Sequence, residues 1–475
     1  MTLSAIDLAV LRLYLAFSIG LGFYFAKFQK SAKEYFLGSR DISWPAVCLS
    51  IVATETSTLT FIGVPALSFG GNMAFMQITI GYLLARILVS LLFLPAYYRR
   101  EMFTAYNFIE HRFGDAARKT ASGIFMVTRL FADGVRIFAT AIPLSLVTGL
   151  DYATSIAIIC GVTIVYTYLG GLRAVVWMDV IQISIYLAGA VIAIFIMLGK
   201  IPGGWEKVLA IGGQADKFKF LDFDLNLTTT YTIFSGIIGG TLLGMASHGT
   251  DQLIVQRLLA CRNLRDSQKA LISSGFLVIV QFLFFLFIGA MLFVFYQAFP
   301  EKLAISRNDE IFPLFIATEM PPGIGGLIIA AIFAAAMSTL SSSLNSLASS
   351  SMNDWIKPLW NAKWSDKQEL LFSRMATIAW AFLLVLVATL AGNWQNVLEA
   401  GLSIASLTYG SLLGAFLLGL STRSFQQRDI ILAMLAGVGM MLWVRTVGVA
   451  WPWFVPIGTT TTVFVGFVSQ LIWGD

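Results

Sequence analysis

The stretch Ala53-Thr54-Glu55-Thr56-Ser57-Thr58-Leu59-Thr60-Phe61-Ile62-Gly63-Val64-Pro65 sets a polar run, one residue of it acidic, inside an apolar segment covering roughly 44–69. In hydrocarbon there is no water to satisfy backbone that leaves a helix, so such backbone must line a cavity or be buried in protein. Six of the seven positions 54–60 are polar, and Gly63 with Pro65 closes the run. The segment therefore reads as a membrane helix built to break at mid-depth. The surrounding composition agrees with a membrane setting. Of 475 residues, 57% are hydrophobic and 12% charged, and mean hydropathy is +0.80. A soluble domain carries about 25% charged residues, so half that supply cannot clothe a water-soluble chain. This is an all-α integral membrane protein, because long charge-free apolar stretches favour helices over a barrel's alternation.

Outward from the broken segment, apolar stretches fall at roughly 7–26, 74–98, 119–148, 152–169, 175–199, 228–248, 270–298, 323–352, 370–391, 396–420, 429–447 and 453–473. With 44–69 this gives about thirteen helices. The first has no basic leader and contains Arg12, so it reads as a span and not a cleaved signal, which favours a bacterial inner membrane. Lys and Arg orient the chain, since cytoplasmic loops hold the excess. With the N-terminus outside and the C-terminus cytoplasmic, twenty of the 31 lie in inside loops, six outside and five within spans. The two long outside loops, about 200–227 and 299–322, have room for short surface helices. No loop is long enough for a separate domain.

The segment 228–248 carries Ser235-Gly236-Ile237-Ile238-Gly239-Gly240-Thr241, with Gly244 beyond. It reads either as a second break or as small residues allowing close helix packing. It lies five spans after the first broken segment, so the two occupy matching places in five-helix blocks. That pattern points to an inverted-repeat secondary transporter with its site at the midplane. The stretch Ala334-Ala335-Ala336-Met337-Ser338-Thr339-Leu340-Ser341-Ser342-Ser343-Leu344-Asn345-Ser346 aligns Ser338, Ser342 and Asn345 on one helical face. Single hydroxyls in such helices often bond back to their own backbone. A stripe of them supplies uncharged oxygens at fixed spacing, which hard monovalent cations take.

Charges inside the spans cost roughly 2.5–3.5 kcal/mol each on insertion scales, so they need partners or a cavity. Arg129, Asp133 and Arg136 share a helix face. Either they form an intrahelical ladder whose surplus cation is balanced by Glu55, or Arg136 is free to clamp a solute carboxylate. Asp179, after Gly170-Gly171-Leu172-Arg173, is a functional carboxylate or an interfacial one. The scattered Cys48, Cys160 and Cys261 imply no disulfide framework. His111 and His248 are too few for a zinc site, and no phosphate loop or nucleophile–base pair appears. The net charge of +5 is dispersed between spans, so no nucleic-acid partner is implied, and no obligatory protein partner is evident.

Together these segments resemble the sodium/solute symporter family, whose members carry sugars, proline, iodide, vitamins and sialic acids. The resemblance rests on Lys33-Glu34-Tyr35-Phe36-Leu37-Gly38, Thr60-Phe61-Ile62-Gly63, Gly170-Gly171-Leu172 with Asp179, Asp251-Gln252 with Gln256-Arg257, and Met337-Ser338-Thr339-Leu340 with Leu344-Asn345-Ser346. It implies a LeuT-type five-plus-five inverted repeat in a single transmembrane domain spanning 1–475. A leading helix and loop would occupy 1–42, the repeats 43–200 and 228–421, and two further helices 422–475. It also implies a sodium site on Ala53, Thr56, Ala335, Ser338 and Thr339, where threonine at 339 stands for the usual serine. A second sodium site would use Asp179, Ser338, Ser341 and Ser342, so one or two sodium ions are expected. Solute would contact Glu55, Ser57, Thr60, Phe75, Gln77, Arg136 and Ser406. Glu55 departs from the small polar residue expected there, which speaks for an amino acid, an acidic sugar or another carboxylate over a simple sugar.

The expected activity is sodium-driven uptake of a small organic solute by alternating access. Proton coupling through Glu55 or Asp179 is the alternative within transport. A non-concentrating sensor or channel on the same scaffold is the alternative outside it.

Overall fold

Caps at the ends of the apolar segments set where the helices start. In the computed structural model, which describes residues 4–99, 102–360, 364–390 and 397–473, Ser4 and Asp7 bond reciprocally to open the helix Ala5–Ala26. Asp7 also accepts from the amides of Gly323 and Gly326, at 2.7 and 2.6 Å. These amides head the helix Ile324–Ser350, and orphan amides at a helix N-terminus favour a carboxylate. The chain's first helix is thus pinned to the serine-rich one. Among the described residues there is no strand, only an isolated bridge between Ile42 and Cys261.

Nine helices among the described residues are long and apolar enough to cross a membrane. A tenth crossing is the bent pair Trp44–Glu55 and Leu59–Gly70, which turns by 61°. The polar run seen in the sequence is where the bend falls. The expected segments 152–169 and 175–199 form one 49-residue helix, Tyr152–Lys200, kinked at Gly171, whose φ is 55°. A Cβ at Gly171 would be strained at that φ and would sit 2.6 Å from the Tyr35 carbonyl oxygen. Two other expected segments are helical over Asp115–Thr148 and 235–249 without counting among the nine or ten. The first carries six charged residues, three of them at Arg129, Asp133 and Arg136, and the second is short.

The glycine-rich segment requires a correction. Ser235–Gly239 is a π-helical turn that runs on into Gly240–Gly249, so it is not a break. Its glycines serve close packing against Met76–Leu92: a Cβ on Gly236 would stand 2.5 Å from the Gln77 carbonyl oxygen. The interruption comes later, at Thr250 and Asp251, where the backbone leaves the helical region. Asp251 caps the next helix, Gln252–Leu259, by accepting from the Leu253 amide at 2.9 Å.

Ile324–Ser350 lies at the centre of the bundle, packed on Tyr152–Lys200, Asp115–Thr148, Ala5–Ala26 and Trp44–Glu55. It is buried almost all round, as a helix without a polar solvent face must be. Its alanines and serines permit that close approach. The two long loops hold the helices Gly204–Gln214 and Ile311–Glu319, in line with the expectation from loop length.

Candidate solute and sodium sites

At the bend the backbone hydrogen bonds change register. The Ser57 amide donates to the Glu55 carbonyl at 3.1 Å, and the Thr60 amide to the Ser57 carbonyl at 2.9 Å. In a continuous helix those amides would go to Ala53 and Thr56, so the break turns both carbonyls away from their helical donors. The central helix meets the bend here. Thr339 donates its hydroxyl to the Thr54 carbonyl at 3.3 Å and lies 3.4 Å from the Ala335 carbonyl. The Thr339 hydroxyl and the Thr54 and Ala335 carbonyls thus meet between the bend and the central helix, and carbonyls with hydroxyls at a broken helix are the ligands such helices offer sodium. The Thr56 hydroxyl bonds back to the Val52 carbonyl at 2.7 Å. Gln281, which the sequence reading missed, donates its side-chain amide to the Thr56 hydroxyl.

Asp179 is not interfacial but fully buried. It accepts from Ser338 at 2.6 Å and from Ser50 at 2.5 Å, and Arg257 lies against it at 3.1 Å. Thr54 lies 3.2 Å from Ser342, and Arg257 donates to Ser342 as well. Asp179, Ser338 and Ser342 are thus brought together. The Ser341 hydroxyl bonds back to the Ser338 carbonyl at 3.0 Å. Arg257 is the residue sequence reasoning passed over here, although it stood in the quoted Gln256-Arg257 pair.

A cavity of about 90 Å³ opens beside the bend. At roughly 10–15 Å³ per water it holds several waters. Thr54, Glu55, Ser57 and Thr60 line it from the broken helix, with Phe75, Arg129, Arg136, His248, Phe282 and Tyr409 from its neighbours. Phe75 stacks on Phe282 at 5.1 Å and meets Tyr231 edge-on at 5.3 Å. It also lines a second hollow of about 320 Å³, formed with Asn72, Tyr231 and Asn308. This aromatic cluster is the partition between the two spaces.

The charges pair differently from the sequence reading. Glu55 binds Arg86, not Arg136, and the His248 ring stands 3.6 Å away. Arg86 is fully buried and also donates to Ser274 at 3.1 Å and to the Tyr82 carbonyl at 3.0 Å. Arg129 finds its main partner in Asp251, which also accepts from Tyr409 at 2.5 Å. Asp133 lies 3.4 Å from Arg129 and 3.3 Å from Arg136, and accepts from Ser343 at 2.5 Å. Arg136 keeps that one long contact, while its Nε has no protein partner among the described residues.

Not every expected solute residue reaches the cavity. Gln77 is tied elsewhere, donating to the Ala74 and Tyr231 carbonyls at 3.1 and 3.2 Å and accepting from the Asp222 amide at 3.0 Å. The Ser406 hydroxyl bonds to the Leu402 carbonyl at 2.7 Å, and its neighbour Ala405 faces the cavity instead. Helical back-bonding and loop anchoring claim these two side chains in this conformation.

Comparison with known proteins shows the family. The family model described as the sodium:solute symporter family matches residues 35–437. The chain is 33% identical over 451 residues to the sodium/sialic acid symporter SiaT of Proteus mirabilis, covering 93% of this chain and 89% of that one. It is 30% identical over 462 residues to the human sodium/iodide cotransporter, covering 95% and 71%. The fold matches that of a substrate-bound, outward-open Na+-coupled sialic acid symporter at a TM-score of 0.92, with 30% identity and 99% of both chains covered. The protein is a transporter and not an enzyme, and sodium is its coupling ion. The chain belongs to the sodium:solute symporter family, with that family's LeuT-type fold, and couples solute uptake to sodium by alternating access.

Proposed function

We propose that the solute is a carboxylate whose anionic end is held by Arg136. The observation that carries this reading is the Arg136 guanidinium: it lines the cavity, is 18% exposed and leaves Nε without a protein partner. A planar fork with donors to spare suits a carboxylate. The relatives' named solutes, sialic acid and iodide, are both anions at neutral pH, which supports a cationic anchor. A sialic acid or a related acidic sugar is the leading candidate, contacting Ser57, Thr60 and Phe75 besides Arg136.

In this reading sodium binds at Ala53, Thr56, Ala335, Ser338 and Thr339. A second ion binds near Asp179, Ser338, Ser341 and Ser342. Sodium at the bend would fix the unwound segment that also presents Ser57 and Thr60 to the solute, and so links the two occupancies. The chain is one transmembrane unit of thirteen crossings, N-terminus outside and C-terminus cytoplasmic, in a plasma membrane such as a bacterial inner membrane. The hollow beside Asn72 and Asn308 then faces outward. The partition at Phe75 is what a solute passes first.

The test is uptake of labelled N-acetylneuraminate, and of a panel of other carboxylates, into vesicles holding wild-type protein or the Arg136→Lys variant. A point charge on a flexible stem cannot reproduce the fork. At roughly 1.5–3 kcal/mol for a charge-assisted hydrogen bond, apparent affinity falls about ten- to a hundred-fold. Near-normal affinity in a folded Arg136→Ala protein contradicts the assignment.

A further inference from the structure

We infer that Glu55 and His248 form a second polar subsite in the cavity, one that receives a hydrogen-bond donor of the solute, either a hydroxyl or an ammonium group. The inference rests on the carboxylate reading of Arg136 and narrows it. His248 lies in the helix Gly240–Gly249, lines the cavity and is only 2% exposed. Its Nδ1 is 3.0 Å from the Gly244 carbonyl oxygen and 2.8 Å from the Ser247 hydroxyl. A carbonyl only accepts, so that contact assigns the ring proton to Nδ1 and leaves Nε2 of the neutral ring as an acceptor. Nε2 has no partner among the described residues and faces Glu55 Oε2 across 3.6 Å.

Two acceptors therefore face each other at the wall of a cavity, and among the described residues none donates to the imidazole Nε2. Arg86 does not fill that role for the imidazole. It binds Glu55 Oε2, Ser274 and the Tyr82 carbonyl, which commits its guanidinium to the protein. Glu55 lines the cavity, and its side chain is 19% exposed. A buried acceptor without a donor is costly, and a group that supplies one recovers that cost on binding. The donor comes from the solute. Arg136 offers donors at one place on the wall, and Glu55 with His248 offers acceptors at another. The cavity thus selects a carboxylate that also carries a hydroxyl, amide N–H or ammonium group away from its carboxyl end. Hydroxy acids, amino acids and acidic sugars qualify. Plain alkyl carboxylates and monatomic anions do not.

The experiment measures binding to the purified full-length protein in sodium chloride. N-acetylneuraminate, gluconate and glutamate are compared with hexanoate, a carboxylate without a second polar group. At least one donor-bearing carboxylate is expected to bind about ten- to a hundred-fold more tightly than hexanoate. His248→Phe should bring it to the hexanoate level, while His248→Gln, which keeps an acceptor, retains part of the preference. Equal binding of hexanoate and the donor-bearing solutes to wild type overturns the inference by itself, even if His248→Phe fails to fold. It is also the result expected if a proton on Nε2, and no solute group, fills the gap. A preference that survives in folded His248→Phe overturns it as well. If no carboxylate binds, the Arg136 reading falls and takes this one with it; if both classes bind alike, this one alone falls.

Discussion

Replacing Arg257 by methionine keeps the aliphatic stem and deletes the cation beside Asp179. Both side chains are at most 1% exposed. Arg257 also donates to Ser50 and to the Leu253 carbonyl, each at 2.8 Å, so the guanidinium ties four groups together. Removing one partner of a buried pair costs about 3–5 kcal/mol, because the other charge stays buried. Asp179 would keep the hydroxyls of Ser338 and Ser50, at 2.6 and 2.5 Å. Such bonds to a charged group are worth roughly 1.5–3 kcal/mol each, which places the expected loss near the lower limit, about 3 kcal/mol. Replacing both members with apolar groups leaves no stranded charge, so Asp179→Leu with Arg257→Met should lie within about 1 kcal/mol of wild type. The assay is unfolding of detergent-purified protein by denaturant at fixed sodium concentration, for wild type, both single variants and the double. A sodium ion bound at Asp179 would replace part of the lost positive charge. Raising sodium to a hundredfold over its dissociation constant adds about 2.7 kcal/mol, and the gain should be larger in Arg257→Met than in wild type. An Arg257→Met protein within about 0.5 kcal/mol of wild type, or a double variant as unstable as the sum of the singles, would refute the reasoning.

Two further outcomes are expected. Ser338→Ala with Thr339→Ala should abolish sodium-driven uptake at unchanged purified yield; wild-type sodium dependence in that variant would remove both hydroxyls from the site. At Glu319, burial raises the carboxyl, but the ammonium groups of Lys200 at 2.7 Å and Lys302 at 3.0 Å outweigh it and hold the group below its ordinary 4.5. A depressed carboxylate contributes stability above its unfolded value and loses it as pH falls through the folded one. Stability should therefore decline as pH drops below about 4.5, and Glu319→Gln should flatten that decline in a pH series of melting curves.

How far the sequence could be read depended on how many residues shared a signal. The bend at 56–58 was legible because six polar residues and a Gly–Pro stop were packed into one apolar segment. The serine stripe 338–346 was legible for the same reason. The glycine run at 235–240 misled, since glycine serves both a break and a close crossing, and only the neighbouring Met76–Leu92 backbone decides between them. Arg86 and His248 were single residues in apolar helices, and their partner Glu55 is distant in sequence. Pairing of that kind is a property of the bundle and leaves no periodicity. Asp251 and Arg257 stood inside a recognised motif, but nothing in the motif said that they answer Arg129 and Asp179. Gln77 and Ser406 show the converse: each is polar and near the site, yet bonds to other protein groups already engage it.

The central claim is that solute uptake is driven by sodium through the oxygen set at the bend. Its most direct test is the time course of carboxylate accumulation in sealed vesicles reconstituted with the wild-type protein, under an inward sodium gradient and no proton gradient. The account predicts that internal solute rises above the external concentration, and that replacing sodium with potassium or adding a sodium ionophore removes the excess. Accumulation that persists without sodium, or a rise that stops at equal concentrations with the gradient intact, would contradict it.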